Sequence, residues 1–146
     1  VCDGDARAVM PAVAQIGDRI VCALRRRSSA RRGGWIDAFG SDDGGKTWRF
    51  LAEVGRTGSR NGNPPALIAA GDRFVCTYGN RDEGEIIARE SRDGETWSLP
   101  LTLREGGKPD IGYPQLFRRT DGRLVCVYYW ADNDNPRQHI AATVFQ

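Results

Sequence analysis

Arginine carries almost all the positive charge of this 146-residue chain, since Lys46 and Lys108 are the only lysines among 21 cationic residues. A planar guanidinium grips carboxylates and phosphates with two parallel donors, so the bias suits recognition of acidic groups. Codon usage in a GC-rich genome produces the same bias. The arginines gather in polar stretches between apolar runs. Arg25, Arg26 and Arg27 follow one run, with Arg31 and Arg32 beyond them. Arg60, Asn61 and Asn63 precede the next run, and Asn80, Arg81, Asp82 and Glu83 follow it. Asp110 and Tyr113 precede a third run, while Tyr129, Trp130, Asp132 and Arg137 stand around its end. Arg25 and Arg81 hold positions suited to binding a carboxylate, and Trp130 could stack on a sugar ring. The structural alternatives are solvated loops or ion pairs for the arginines and packing for the aromatic rings. His139, the sole histidine, lies in a strand pattern and reads as a surface strand residue rather than a base.

These stretches are spaced by a repeat. Gly17-Asp18-Arg19-Ile20-Val21-Cys22 recurs as Gly71-Asp72-Arg73-Phe74-Val75-Cys76 and again as Asp121-Gly122-Arg123-Leu124-Val125-Cys126. A proline-led apolar segment precedes each copy, from Pro11, Pro65 and Pro114, with proline-to-cysteine distances of 11, 11 and 12 residues. Three units spaced by about 50 residues, each reading as four short strands, predict β-propeller blades. The first unit should hold strands near 9–16, 19–24, 35–40 and 48–54. The second should hold strands near 65–70, 73–78, 85–90 and 97–103. The third should hold strands near 114–119, 123–130 and 137–145, and stop short of a fourth. The fold class is therefore all-β: three four-stranded antiparallel blades, the last incomplete. The units span about 7–55, 60–105 and 110–146 of a single propeller segment, 1–146.

Composition agrees with this reading. Eighteen glycines and seven prolines fall in clusters between apolar runs, as frequent turns require. A net charge of +2 is too small to argue for nucleic acid, and no apolar stretch is long enough to span a bilayer. Cys22, Cys76 and Cys126 share one position of the repeat and read as free core thiols, since equivalent positions in neighbouring blades lie beyond disulfide reach. Cys2 is the one cysteine outside the pattern. No metal-ligand spacing such as C-x-x-C is present, so neither a metal nor another cofactor is expected. No signal peptide is visible at Val1-Cys2-Asp3-Gly4-Asp5, and the compartment stays open.

Between its third and fourth strands the first unit reads Ser41-Asp42-Asp43-Gly44-Gly45-Lys46-Thr47-Trp48. The second reads Ser91-Arg92-Asp93-Gly94-Glu95-Thr96-Trp97, one residue shorter. An Asp side chain can accept backbone N–H groups of its own turn while Gly supplies positive φ, so Asp43 and Asp93 read as turn-formers rather than catalytic acids. The tryptophan is expected to plug the gap between neighbouring blades.

The pattern S-x-D-x-G-x-T-W resembles the Asp-box, or BNR repeat, of sialidases (neuraminidases) and their relatives. Gly62-Asn63-Pro64-Pro65-Ala66-Leu67, Asp110-Ile111-Gly112-Tyr113-Pro114, Val127-Tyr128-Tyr129-Trp130 and His139-Ile140-Ala141-Ala142-Thr143 are similar to segments of bacterial members. The resemblance covers essentially the whole chain. It implies part or half of a six-bladed sialidase-like propeller that recognises or hydrolyses an acidic glycan. Strand direction puts the Gly/Asp turns and the Asp-boxes on one face and the loops 25–34, 55–64, 79–84, 104–113 and 131–137 on the other, and the resemblance implies a glycan site there, at the channel mouth. In that family three arginines hold the substrate carboxylate, a tyrosine backed by a glutamate attacks, and an aspartate is the acid/base. Carried to this sequence, Tyr113 and Asp110 stand in the catalytic places, and Arg25, Arg81, Asn63, Trp130 and Arg137 in the substrate-binding ones. Val9 stands where the arginine of that family's F-R-I-P motif would be. The alternative is a non-catalytic propeller module that binds carbohydrate or protein through the same face.

Three blades cannot close a ring. Either a homodimer makes six blades or a longer chain supplies the remainder. The expected partner is a glycan, and neither nucleic acid nor a membrane is expected.

Overall fold

The computed structural model describes residues 6–28 and 33–146, which form eleven strands and no helix. The first blade holds β1 (Arg7–Ile16), β2 (Arg19–Ser28), β3 (Gly33–Ser41) and β4 (Arg49–Gly58). The second holds β5 (Ala66–Ala70), β6 (Arg73–Asn80), β7 (Glu85–Ser91) and β8 (Leu101–Arg104). The third holds β9 (Gly112–Arg118), β10 (Leu124–Trp130) and β11 (His139–Phe145). Each strand pairs antiparallel with the next in the chain, giving separate sheets of four, four and three strands. This is a partial β-propeller with the third blade one strand short, as the repeat predicts.

The repeated Gly/Asp motif makes the tight turn between the first two strands of each blade. Gly17, Gly71 and Gly122 hold φ of 57°, 69° and 86° there, a region open to glycine at little cost. The blades stack through two apolar layers. Val21, Ala23, Ile36, Ala38 and Val54 of the first blade meet Leu67, Phe74, Cys76, Tyr78 and Ile87 of the second. Ile86 of the second blade and Ile111 meet Cys126, Tyr128 and Trp130 of the third. Cys76 and Cys126 are buried in these layers, and burial raises both thiols, that of Cys126 to about 11. Cys22 is only half-buried. All three are free thiols, and Cys2 lies outside the described residues.

Half-burial of Cys22 follows from its place in the stack. The partners Val13, Cys22, Phe39 and Phe50 lie opposite one another across all four strands of the first blade. The same repeat position in the later blades faces the blade before it. In the first blade that face is open, leaving Val13 and Phe50 each 56% exposed.

The two Ser–Asp–Gly–Thr–Trp turns close as their chemistry predicts. Asp43 accepts from the Thr47 backbone N–H at 2.9 Å and from the Thr47 hydroxyl at 2.6 Å. Ser41 donates to Asp43 at 2.8 Å and accepts from Gly45 N–H at 2.9 Å. These donors, the Thr47 hydroxyl foremost, hold the Asp43 carboxyl down to about 2. Asp93 accepts from the backbone of Glu95 and Thr96, both at 2.8 Å, and is lowered likewise. Arg19, just past the β1–β2 turn, bridges to Asp42 at 2.5 Å and to the Asp93 carbonyl at 3.1 Å. The tight turns and the Asp-centred turns therefore share one face.

The expected tryptophan plug holds for one turn only. Trp97 packs against the layer between the first two blades, and a Cβ on Gly94 beside it would overlap Val21 and Leu51. Trp48 is 37% exposed, because the open side of the first blade offers it nothing to fill. Both rings still donate Nε1–H into their own turn, to Gly45 O at 2.9 Å and Gly94 O at 3.0 Å.

Candidate functional site

Strand β2 runs four residues further than the sequence suggests, so Arg25, Arg26 and Arg27 belong to a strand rather than to a loop. They pair with Val9, Ala8 and Arg7 on one side and with Ile36, Trp35 and Gly34 on the other. Three consecutive guanidinium groups are tolerated there because each finds partners. Arg26, 1% exposed, faces Asp37 at 3.6 Å and lies over the Trp35 ring at 5.9 Å. Trp35 in turn donates Nε1–H to Asp37 at 2.9 Å, and such pairing is what a buried charge requires. Arg27 donates to Asn61 Oδ1 at 2.8 Å. Arg25 donates to the Asn61 carbonyl, to the Gly62 carbonyl at 3.4 Å and to the Met10 sulfur at 3.1 Å.

Arg81, at the end of the second strand of the next blade, repeats the device. Its Nε–H donates to the Ile111 carbonyl at 3.1 Å and its Nη2 to Asp110 Oδ1 at 3.2 Å. Each arginine thus catches the segment that leads into the following blade. Arg81 differs in also reaching the Tyr129 hydroxyl at 2.5 Å. The Tyr129 hydroxyl donates in turn to Asp110 Oδ1 at 2.6 Å, and Gln138 donates to Asp110 Oδ2 at 3.2 Å. Burial first, and the Asp110 carboxylate second, push the Tyr129 phenol up to about 12. Arg81, Asp110, Tyr129 and Gln138 come from four separate stretches of chain.

Tyr113 completes the cluster from above. Its ring centroid lies 5.8 Å from that of Tyr129 with the planes tilted at 39°. It is 42% exposed, and its backbone is left-handed at φ 51°. Beside the cluster opens a cleft of about 490 Å³, lined by Arg60, Asn61, Arg81, Asp82 and Asp110 with Ser59 and Pro109 at its rim. Asp82 accepts from Ser59 N–H at 2.8 Å and from the Ser59 hydroxyl at 3.0 Å. Two carboxylates and two guanidinium groups meet in this cleft, where charged donors and acceptors can take sugar hydroxyls or a ligand carboxylate.

The structure brings together Arg81, Asp110 and Tyr113, and it moves four other sequence candidates elsewhere. Trp130 is fully buried, donates to Asp132 at 2.9 Å and carries the Arg104 guanidinium 4.5 Å above its ring. Its rings are spent between blades, so it offers no surface to a sugar. Asn63 is fully buried and bonded to the backbone of residues 111 and 113, so it presents no surface to the cleft. Arg25 is 5% exposed, with its donors aimed at carbonyls and sulfur; it latches a loop and presents no free fork. Arg137 is exposed outside the cleft, its carbonyl 3.1 Å from His139 Nδ1. Asp110 accepts from the Tyr129 hydroxyl, with Tyr113 stacked beside that ring. Arg31 and Arg32 lie outside the described residues.

Sequence reasoning assigned no role to Tyr129, Asp82 or Gln138. The alternation of Tyr128, Tyr129 and Trp130 along β10 did carry a signal. Tyr128 and Trp130 turn into the core and Tyr129 to the opposite side, yet alternation alone does not say which side is which. Among the described residues, no group of three or more His, Cys, Asp and Glu is placed to hold a metal ion.

Known structures share this architecture. A protein of unknown function from Dyadobacter fermentans superposes with a TM-score of 0.78 at 24% identity, covering 98% of this chain and 39% of its own. The α-L-arabinanase of Penicillium chrysogenum, solved with arabinobiose, gives 0.69 at 15% identity over 93% of this chain and 46% of its own. A Hadza microbial sialidase gives 0.65 at 16% identity over 95% and 35%. No family model matches the sequence, and no curated protein does. The chain is a partial β-propeller of the kind found in glycoside hydrolases. It spans less than half the length of each of these three structures.

Proposed function

We propose that the loop-face cleft binds a glycan, and that the completed propeller is a glycosidase-type protein of the sialidase-like kind. The observation that carries this reading is the convergence of Arg81, Asp110, Tyr129 and Tyr113 beside a cleft of about 490 Å³. An exposed aromatic ring next to fixed charged groups is what a sugar needs for stacking and hydroxyl recognition. The two Asp-box-like turns support the sialidase-like assignment, and Arg60 and Arg81 support an acidic glycan as the ligand. Neighbours solved as an arabinanase and a sialidase support the broader glycosidase class.

A non-catalytic glycan-binding module is the second reading, and one observation favours it. Both oxygens of Asp110 already accept from protein donors, which leaves it poorly placed to exchange a proton with a leaving group. Hydrolysis of fluorogenic sialosides and arabinosides by a closed propeller, set beside binding of the same sugars, separates the two. Turnover supports the enzyme, and binding without turnover supports the module. Neither turnover nor binding overturns both.

The open apolar faces of the end blades must be covered in the working protein. We propose that further blades of a longer chain cover them; a second copy of this chain is the competing arrangement. Sedimentation of residues 1–146 decides it: a monomer supports the longer chain, and a discrete dimer overturns it.

A further inference from the structure

We infer that Asn63 is a positioning residue: it bends the segment leading into the third blade so that Tyr113 stands over Tyr129 beside the cleft. Its Nδ2 donates to the Ile111 carbonyl at 2.8 Å, and its Oδ1 accepts from Tyr113 N–H at 2.7 Å. One side chain thus serves the backbone on both sides of Gly112, as a neighbouring strand would. The space around it admits nothing larger. A Cβ on Gly112 would overlap the Asn63 amide, and one on Gly79 would come within 2.9 Å of Nδ2. Gly112 is also at φ 119°, a value glycine adopts readily.

Two consequences reach the cleft. The Ile111 carbonyl accepts from Asn63 and from Arg81 Nε together, so the residue that bends the segment also fixes the arginine beside Asp110. Tyr113 is held left-handed at φ 51° immediately before Pro114, although the residue before a proline favours extended backbone. Such conformations persist only where the surroundings over-determine them, and they gather at functional sites. Met10 stands at the same repeat position before Pro11, with φ 55° and 43% exposure. The second blade has Pro64 there, which cannot take positive φ. The strained, outward-facing residue therefore occurs at the two blade starts whose sequence permits it. In the third blade, Asn63 is what holds it.

This role rests on the glycan reading for its purpose but not for its geometry, and the experiment separates the two. In the unmodified chain the Tyr113 amide should exchange with solvent about 100-fold or more slowly than a free amide; exchange at the free rate overturns the inference. With 3-fluorotyrosine placed at position 113, Asn63→Ala should shift the fluorine resonance to that of a solvated ring. Asn63→Asp keeps an acceptor toward Tyr113 N–H but sets a buried carboxylate oxygen against the Ile111 carbonyl, so it should shift the resonance as Asn63→Ala does. A folded Asn63→Ala protein with an unmoved resonance overturns the inference, and if that variant does not fold, the exchange rate decides alone. Sialyllactose, the probe for the cleft, should bind Asn63→Ala about tenfold more weakly, because the platform is no longer preorganised. If the fluorine and exchange results hold while sialyllactose binds neither protein, the positioning role stands and the acidic-glycan reading falls.

Discussion

The Tyr129 hydroxyl meets the Asp110 carboxylate at 2.6 Å while Arg81 touches both groups. Removing the carboxylate removes one of the causes that raise the phenol. Asp110→Ala should therefore lower the ionisation of Tyr129 from about 12 toward the ordinary tyrosine value near 10. Burial is the larger cause, so the drop is partial. An absorbance titration of tyrosinate, comparing Asp110→Ala with the parent, checks it. An unchanged curve contradicts the contact.

The two turn tryptophans should differ in what they contribute. Trp97 packs on the layer between the first and second blades, whereas Trp48 faces the open side. Trp97→Ala should cost about 3 kcal/mol in urea unfolding of the 146-residue chain, and Trp48→Ala less than about 1 kcal/mol. Equal losses contradict the assignment of the open face.

Asp43 sets a pH dependence whose sign is fixed. Its folded carboxyl sits at about 2 against an ordinary 3.8, so its stabilising effect is complete above the ordinary value and fades as pH falls toward 2. Asp43→Asn should unfold at a lower temperature than the parent at pH 6. The two melting curves should converge as pH falls from 4 to 2. A gap that stays constant through that window contradicts the turn chemistry.

Most of the scaffold was legible because it is written in repeats. The Gly-Asp-Arg turns, the cysteine spacing and the Ser–Asp–Gly–Thr–Trp turns each recur, and each recurrence marks a strand boundary. Errors of extent arose where local signals ran out. Three arginines in a row look like a loop, yet β2 continues through them because Asp37, Asn61, Gly62 and Met10 supply partners from distant positions. The fourth strand of the second blade begins at Leu101, not near Trp97, because Trp97 belongs to the turn and Pro100 lacks an N–H to pair.

The candidate site was legible as a face but not as a set of contacts. Strand direction sets the loops with Arg81 and Asp110 on one face, and Tyr113 opens the strand that follows them. Whether a polar side chain serves a ligand or the protein depends on its partners, and those lie 30 to 50 positions away. Asn63 and Ile111, 48 residues apart, are one such pair, and Arg81 and Tyr129 another, also 48 apart. Trp130 turns inward for the same reason, since its ring is covered by the Arg104 guanidinium above and by the second blade beneath, both distant in sequence.

The central claim is that the cleft beside Arg81 and Asp110 holds a glycan. Calorimetric titration of sialyllactose and arabinobiose into the parent chain and into Arg81→Ala tests it most directly. At least one sugar should bind the parent, and Arg81→Ala should weaken that binding about tenfold or more; Asp43→Asn, altered on the opposite face, should bind as the parent does. Absence of binding to the parent, or binding that Arg81→Ala leaves unchanged, would contradict the claim.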